Sequence, residues 1–208
     1  MLEKIKQYGL WFFNSFIWLG LLLLVIDIVT KNVVVNNCEL GVRNVLIPGF
    51  LSITYTVNTN AAFGIGLGNE LANRIVYIIV ALIAIAIIIV VYVKKYKVLN
   101  RYYKAVMMMI LVGALGNLID RTFFTPEYLR YSSVGVVDWI DFYGIWPYIF
   151  NWADSCIVVG VIMLVIYLIV DEINVSRKNK KVILTKDQVE AKIEQAEKEK
   201  SLEDKEVK

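Results

Sequence analysis

Residues 75–93 read IVYIIVALIAIAIIIVVYV, 19 positions with no charge, glycine or proline. As a helix this run covers about 28 Å, close to the roughly 30 Å hydrocarbon core of a bilayer. Three further runs resemble it. Residues 10–26 are broken only by Asn14, Ser15 and Gly20 and end at Asp27. Residues 102–119 carry Gly113, Gly116 and Asn117 near their end, and residues 152–170 carry Asp154 near their beginning. In lipid every backbone group must be bonded internally, and this pattern suits a helical bundle and not a barrel. Composition agrees: of 208 residues 58% are hydrophobic and 20% charged, and mean hydropathy is +0.61. The expected fold class is an all-α integral membrane protein with four transmembrane helices.

Lysine and arginine set the expected orientation. Lys4 and Lys6 precede the first run, and Lys94, Lys95, Lys97, Arg101 and Lys104 fall between the second and third. Arg177, Lys178, Lys180 and Lys181 follow the fourth. The intervening segments 31–74 and 120–151 hold fewer basic residues, so they should face outward, with both termini cytoplasmic. The basic start followed by an apolar run looks like a signal peptide, but no small-x-small site follows Ile26, and retention as a first span is expected. Residues 45–57, VLIPGFLSITYTV, alternate β-branched and aromatic side chains. Gly41, Pro48, Gly49, Gly64, Gly66 and Gly68 punctuate this region, which suits short strands in a small extracytoplasmic sheet at the membrane surface. Residues 182–208 are charged throughout, with Val182, Val189 and Ile193 at loosely helical intervals. The expected organisation is a membrane-embedded domain over 1–175 and a charged, solvated cytoplasmic tail over 176–208.

The chain has no histidine, which excludes a Ser-His-Asp triad, a Cys-His pair, HExxH zinc sites and any imidazole base. Cys38 and Cys156 are too few for a disulfide scaffold or a cysteine-only metal site. A net charge of +3, dispersed along the chain, does not suggest nucleic acid. Chemistry here must come from carboxylates, lysine, tyrosine or an unaided nucleophile.

Polar residues gather at one end of the apolar runs: Asp27, Lys31, Asn117, Asp120, Arg121, Asp138, Asp141, Asn151 and Asp154. Any single one would ordinarily anchor a helix at the interface. Several converging in so apolar a chain point to function. Asp27 and Lys31 are four apart and can pair on one helix face. Asn117, Asp120 and Arg121, at i, i+3 and i+4, also share a face, and Asp154 suits the first turn of its helix. Gly113 and Gly116 permit close helix approach. Cys156, two residues past Asp154, points elsewhere and reads as packing.

These residues form motifs. D-x-x-x-K lies at 27–31, N-T-x-A-A-F at 58–63, G-A-L-G-N-L-I-D-R at 113–121, V-V-D at 136–138 and F-N-x-A-D-S at 150–155. In this order, over about residues 10–170, the chain resembles the lipoprotein signal peptidases, the membrane-embedded aspartic peptidases also called signal peptidase II. The resemblance implies that Asp138 and Asp154 are the catalytic pair. It makes Asn58, Asn117, Asp120, Arg121 and Asn151 supporting or substrate-contacting groups, with Asp27 and Lys31 more peripheral. The chain departs from the family's usual Gly at Asn60 and usual Phe at Trp139, and has a longer segment 122–137.

The implied substrate is a prolipoprotein whose cysteine carries a diacylglyceryl group, cut on the N-terminal side of that cysteine. The implied setting is the outer face of the bacterial cytoplasmic membrane, for a lipid-embedded monomer with no metal or organic cofactor. Without histidine, two aspartates can hydrolyse a peptide by sharing one proton. The rival reading is a non-enzymatic membrane protein, a proton-coupled carrier or assembly factor using the same acids as a relay. A carrier should place acids near the midplane, and here they gather at one interface.

Overall fold

The computed structural model describes residues 2–60 and 69–206. Residues 61–63 of the N-T-x-A-A-F motif and Gly64, Gly66 and Gly68 lie outside the described residues, as do the side chains of Val182 and Val189. In chain order the elements are α1 (Leu2–Ser15), α2 (Ile17–Asn37), β1 (Arg43–Ile47), β2 (Leu51–Asn58) and α3 (Glu70–Lys95). There follow α4 (Arg101–Phe123), α5 (Pro126–Leu129), β3 (Val136–Asp141) and α6 (Trp152–Glu206). Among the described residues four helical segments are long and apolar enough to cross a membrane: Ile17–Asn37, Glu70–Lys95, Arg101–Phe123 and Trp152–Lys180. The chain is mostly helical, with one small sheet.

The first span is shifted from the expected 10–26. The chain breaks at Phe16, which takes a left-handed conformation (φ 58°) and separates α1 from α2. Neither glycine nor proline marks the spot. Local and tertiary bonds stabilise it instead: the Tyr92 hydroxyl donates to the Ser15 carbonyl, Trp18 Nε1 donates to the Phe13 carbonyl at 3.3 Å, and the Arg101 guanidinium lies over the Phe16 ring at 5.7 Å. Asp27 and Lys31 therefore sit well inside α2 instead of closing it.

The expected strand region becomes a hairpin of β1 and β2, turned through Gly49 at φ 73°, with a bulge between Val45 and Ile47. Its third partner, β3, comes from a segment that reads as loop. The antiparallel order is β1-β2-β3, and the register sets Thr56 opposite Asp138 and Asn58 opposite Val136. Beneath the sheet, Val34, Val35, Tyr55, Leu129 and Val137 form a buried apolar cluster that joins the end of α2 and α5 to β2 and β3. The Tyr55 hydroxyl donates to the Leu129 carbonyl at 2.6 Å. Arg130, left-handed at φ 52°, donates to the carbonyls of Val35 and Cys38. The longer segment after α4 is thereby tied to the end of α2.

Helices α4 and α6 approach closely at glycines. A Cβ on Gly113 would lie 2.5 Å from the Ala153 carbonyl oxygen and one on Gly116 3.0 Å from the Ala153 Cβ, both of α6; the Gly116 Cβ would also lie 2.4 Å from Asp27 Oδ2 of α2. Compactness divides the chain into Met1–Leu164 and Val165–Lys208. The second unit is helical to Glu206, and its side chains over 171–180 are exposed. Where the sequence suggests a partly helical tail, the helix is continuous.

Candidate active site

Asp138 is placed by β3. Its strand continues into a return segment pinned by backbone bonds: the Trp139 and Ile140 N–H groups both donate to the Phe150 carbonyl, at 3.0 and 2.7 Å, and the Phe150 N–H donates to the Ile140 carbonyl at 3.1 Å. This bridge sets Asn151 against Asp138 and starts α6 immediately afterwards.

Asn151 caps α6, because its Oδ1 accepts the Asp154 N–H at 2.8 Å. Asp154 reaches back, and its Oδ2 accepts the Asn151 N–H at 3.2 Å. This reciprocal pair is a capping box, which satisfies first-turn donors that have no intrahelical partner. It also fixes the Asp154 carboxylate at the helix start.

Two amides then connect the two acids. Asn151 Nδ2 donates to Asp138 Oδ1 at 2.7 Å and to Asn117 Oδ1 at 3.1 Å. Asn117 Nδ2 donates to Asp154 Oδ1 at 2.7 Å. Asn58 Nδ2 donates to the remaining Asp138 oxygen at 3.0 Å. Burial raises the Asp138 carboxyl to about 8, and the nearby Asp154 charge pushes it the same way.

Asp141, three residues further along β3, points to the opposite face of the strand. Burial pushes its carboxyl up, but hydrogen bonds from Thr54 Oγ1 at 2.7 Å and Arg43 Nε at 2.9 Å hold it below the ordinary range. It is not joined to the Asp138 network by any of these bonds.

Asp27 and Lys31 pair as their spacing suggests, Lys31 Nζ to Asp27 Oδ2 at 2.8 Å. Both are fully buried, and Lys31 also meets Asp120 Oδ2 at 3.0 Å and Asn117 Oδ1 at 3.2 Å. The lysine ammonium lies between the two acids and pairs with both. Cys156 is buried, consistent with packing.

Arg121 turns away from Asp120. Its Nη1 and Nη2 donate to the carbonyls of Asn117 and Asn60, at 3.3 and 3.0 Å, and its guanidinium lies 5.4 Å from the Tyr77 ring. Around it stand residues that the sequence does not single out for chemistry. Arg74 Nε donates to the Arg121 carbonyl at 2.7 Å, and Asn73 Nδ2 donates to Asn60 Oδ1 at 3.0 Å. The signal available for Asn73 and Arg74 was their polarity at the entrance of an otherwise apolar helix. Every described residue implied by the resemblance thus lies in one connected neighbourhood, formed by α2, α4, β2, β3 and the start of α6.

Known proteins share this arrangement of sequence and fold. The family model for signal peptidase (SPase) II matches residues 19–170. A lipoprotein signal peptidase of Fusobacterium nucleatum subsp. nucleatum is 36% identical over 152 residues, 73% of this chain and 84% of that protein. One from Enterococcus faecalis is 38% identical over 73% of this chain and 85% of its own length. One from Staphylococcus aureus (strain MRSA252) is 33% identical over 85% of this chain and 99% of its own length. Among solved structures, a bacterial membrane enzyme determined at 2.3 Å aligns with a TM-score of 0.64 and 31% identity, covering 75% of this chain and 88% of that one. With a family model spanning most of the chain, and relatives matched over most of both lengths, this membrane protein belongs to the signal peptidase II family of peptidases.

Proposed function

We propose that Asp138 and Asp154 are the catalytic pair of an aspartic endopeptidase that removes the signal peptide of prolipoproteins. The cut bond lies before a cysteine that already carries a diacylglyceryl group. The observation that carries the assignment is the bridge of two amides, Asn151 and Asn117, between two carboxylates delivered by β3 and the start of α6. With Asp138 raised to about 8, this acid holds the proton at neutral pH and polarises the scissile carbonyl. Asp154 takes a proton from the attacking water. The tetrahedral intermediate collapses as the new amine leaves with a proton, which returns the pair to its starting state. General acid–base help of this kind supplies about 10²–10⁴-fold, so holding the bond in place must supply much of the remainder. Asn58, Asn117 and Asn151 orient the carboxylates. Arg121, whose donors already meet main-chain carbonyls, is suited to hold those of the substrate.

Lysine and arginine support a topology with both termini in the cytoplasm and the sheet outside, in the bacterial cytoplasmic (inner) membrane. In this reading residues 1–175 form the embedded peptidase domain and residues 176–208 a cytoplasmic tail. The chain works as a monomer in contact with lipid. The carrier or assembly-factor reading is not favoured, since the curated relatives are named lipoprotein signal peptidases.

The test is incubation of the detergent-purified chain with a diacylglyceryl-modified prolipoprotein, following loss of its signal peptide. Asp138→Asn and Asp154→Asn should each abolish cleavage. The double variant should be no worse than either, because groups acting as a unit are non-additive. Substantial cleavage by a clean, membrane-inserted single variant would remove the pair from catalysis.

A further inference from the structure

Three charges lie buried beneath the proposed pair: Asp27 and Lys31 from α2 and Asp120 from α4, with side chains 0%, 0% and 2% exposed. Ion clusters are a poor way to hold helices together, since apolar side chains of similar volume often stabilise a buried site as well or better. What distinguishes this cluster is what its two carboxylates accept besides the lysine. Asp120 Oδ2 accepts the backbone N–H of Val137 at 3.0 Å. Asp27 Oδ1 accepts the backbone N–H of Ala153 at 2.9 Å. Val137 is the residue immediately before Asp138, and Ala153 is the residue immediately before Asp154. Lys31 Nζ joins the two holding carboxylates, at 2.8 Å to Asp27 and 3.0 Å to Asp120.

We propose that Asp27 and Asp120, tied together by Lys31, are positioning residues that clamp the main chain one residue ahead of each dyad carboxylate and so fix the two acids relative to each other. This rests on the reading of Asp138 and Asp154 as the reacting pair. The clamp is built from complementary needs. Ala153 lies in the first turn of α6, where its N–H has no partner within the helix, so a carboxylate from another helix is a fitting acceptor there. Asp27 reaches that N–H by passing Gly116, the position where a Cβ would lie 2.4 Å from its Oδ2. One lysine between the two acids makes the holds interdependent: a shift of α2 moves the supports of both.

The test uses the full chain in detergent and a diacylglyceryl-modified prolipopeptide, with kcat and KM measured separately. Asp27→Ala and Asp120→Ala each remove one acceptor. Each should lower kcat about 10²-fold, the scale of an ångström misplacement, while KM stays within about threefold. Asp27→Asn and Asp120→Asn keep an oxygen able to face the same N–H and should recover at least about tenfold of that loss. Hydrogen exchange at the Val137 and Ala153 amides supplies a readout independent of turnover. Both should be slow in the wild type and the Asn variants, and each faster in its own Ala variant. Inserted Ala variants with wild-type kcat overturn the clamp, as do Asn variants no better than Ala. If an Ala variant does not fold, rapid exchange of both amides in the wild type still overturns it. Turnover by Asp138→Asn with both amides protected is a separate result: it removes the dyad reading and leaves the holds as structural braces only.

Discussion

Asp138 and Asp141 have the same chemistry and lie three positions apart on one strand, but their surroundings drive them in opposite directions. Asp138 is buried among amides with a second acid nearby, and its carboxyl rises to about 8. Asp141 has an arginine and a threonine as donors and stays below the ordinary carboxylate range. The sign of the resulting pH dependence follows. In the proposed mechanism Asp138 holds its proton below about 8; above it that proton leaves and Asp138 no longer polarises the carbonyl as an acid. Peptidase kcat/KM should therefore fall on the alkaline side with an apparent pKa near 8, measured in detergent against pH. A profile flat to about pH 10 would contradict Asp138 as the proton holder. Asp141→Asn should leave the alkaline limb in place and lower activity less than tenfold, because it loosens the β1 to β3 contact through Arg43 without touching the pair. At this scale the sequence is most legible where partners lie within one helical turn. Asp27 with Lys31 and Asn151 with Asp154 are such cases, readable from spacing alone. The bonds of Asp120 to Val137 and Arg121 to Asn60 were not legible, because nothing in local periodicity says which backbone group a buried side chain will find.

Elements were legible where the pattern persists. The unbroken run 75–93 falls inside α3, and the alternating run 45–57 falls in the β1–β2 hairpin. β3 was not legible because V-V-D-W-I-D carries acids on both faces, so polarity masks its period of two. The break at Phe16 was not legible because Tyr92, far away in sequence, and the Trp18 indole take up the freed carbonyls, while the local residues would continue a helix. Glycine at 116 was legible as a packing residue, but its consequence for Asp27 was not. A Cβ there would also meet the Ala153 Cβ at 3.0 Å, so neither the buried carboxylate nor the facing helix can yield cheaply. Gly116→Ala should cost about 1–3 kcal/mol of stability, as overpacking does. Turnover should fall with it as Asp27 leaves the Ala153 N–H. Gly9→Ala in α1, with nothing within 4 Å of the added Cβ, is the control and should be neutral or slightly stabilising. Thermal unfolding of both variants in one detergent checks this; equal midpoints would mean that α4 and α6 have more room than their geometry gives.

At the scale of the whole molecule, four span-length helices fix a multi-pass protein, but a bundle of helices does not by itself declare which end faces the cytoplasm. That information sits outside the packed region, in the basic residues beyond the helix ends. Lys94, Lys95, Lys97 and Arg101 flank the turn from α3 to α4, and Arg177, Lys178, Lys180 and Lys181 follow the apolar part of α6. At the other ends of α3 and α4 lie the sheet and the segment after β3, where Ile145 is 62% exposed. Moving clustered lysines across a bilayer is disfavoured, so the lysine-rich ends should remain inside and Ile145 should lie outside. In a background with Cys38→Ser, Ile145→Cys should react with a membrane-impermeant maleimide in intact cells or spheroplasts, and Lys97→Cys only after lysis. A reporter enzyme fused after Lys181 should work only in the cytoplasm. Labelling at 97 with protection at 145, in cells shown to be unbroken, would invert the topology. It would also place the acid pair on the cytoplasmic side, against the outer-face setting proposed for cleavage.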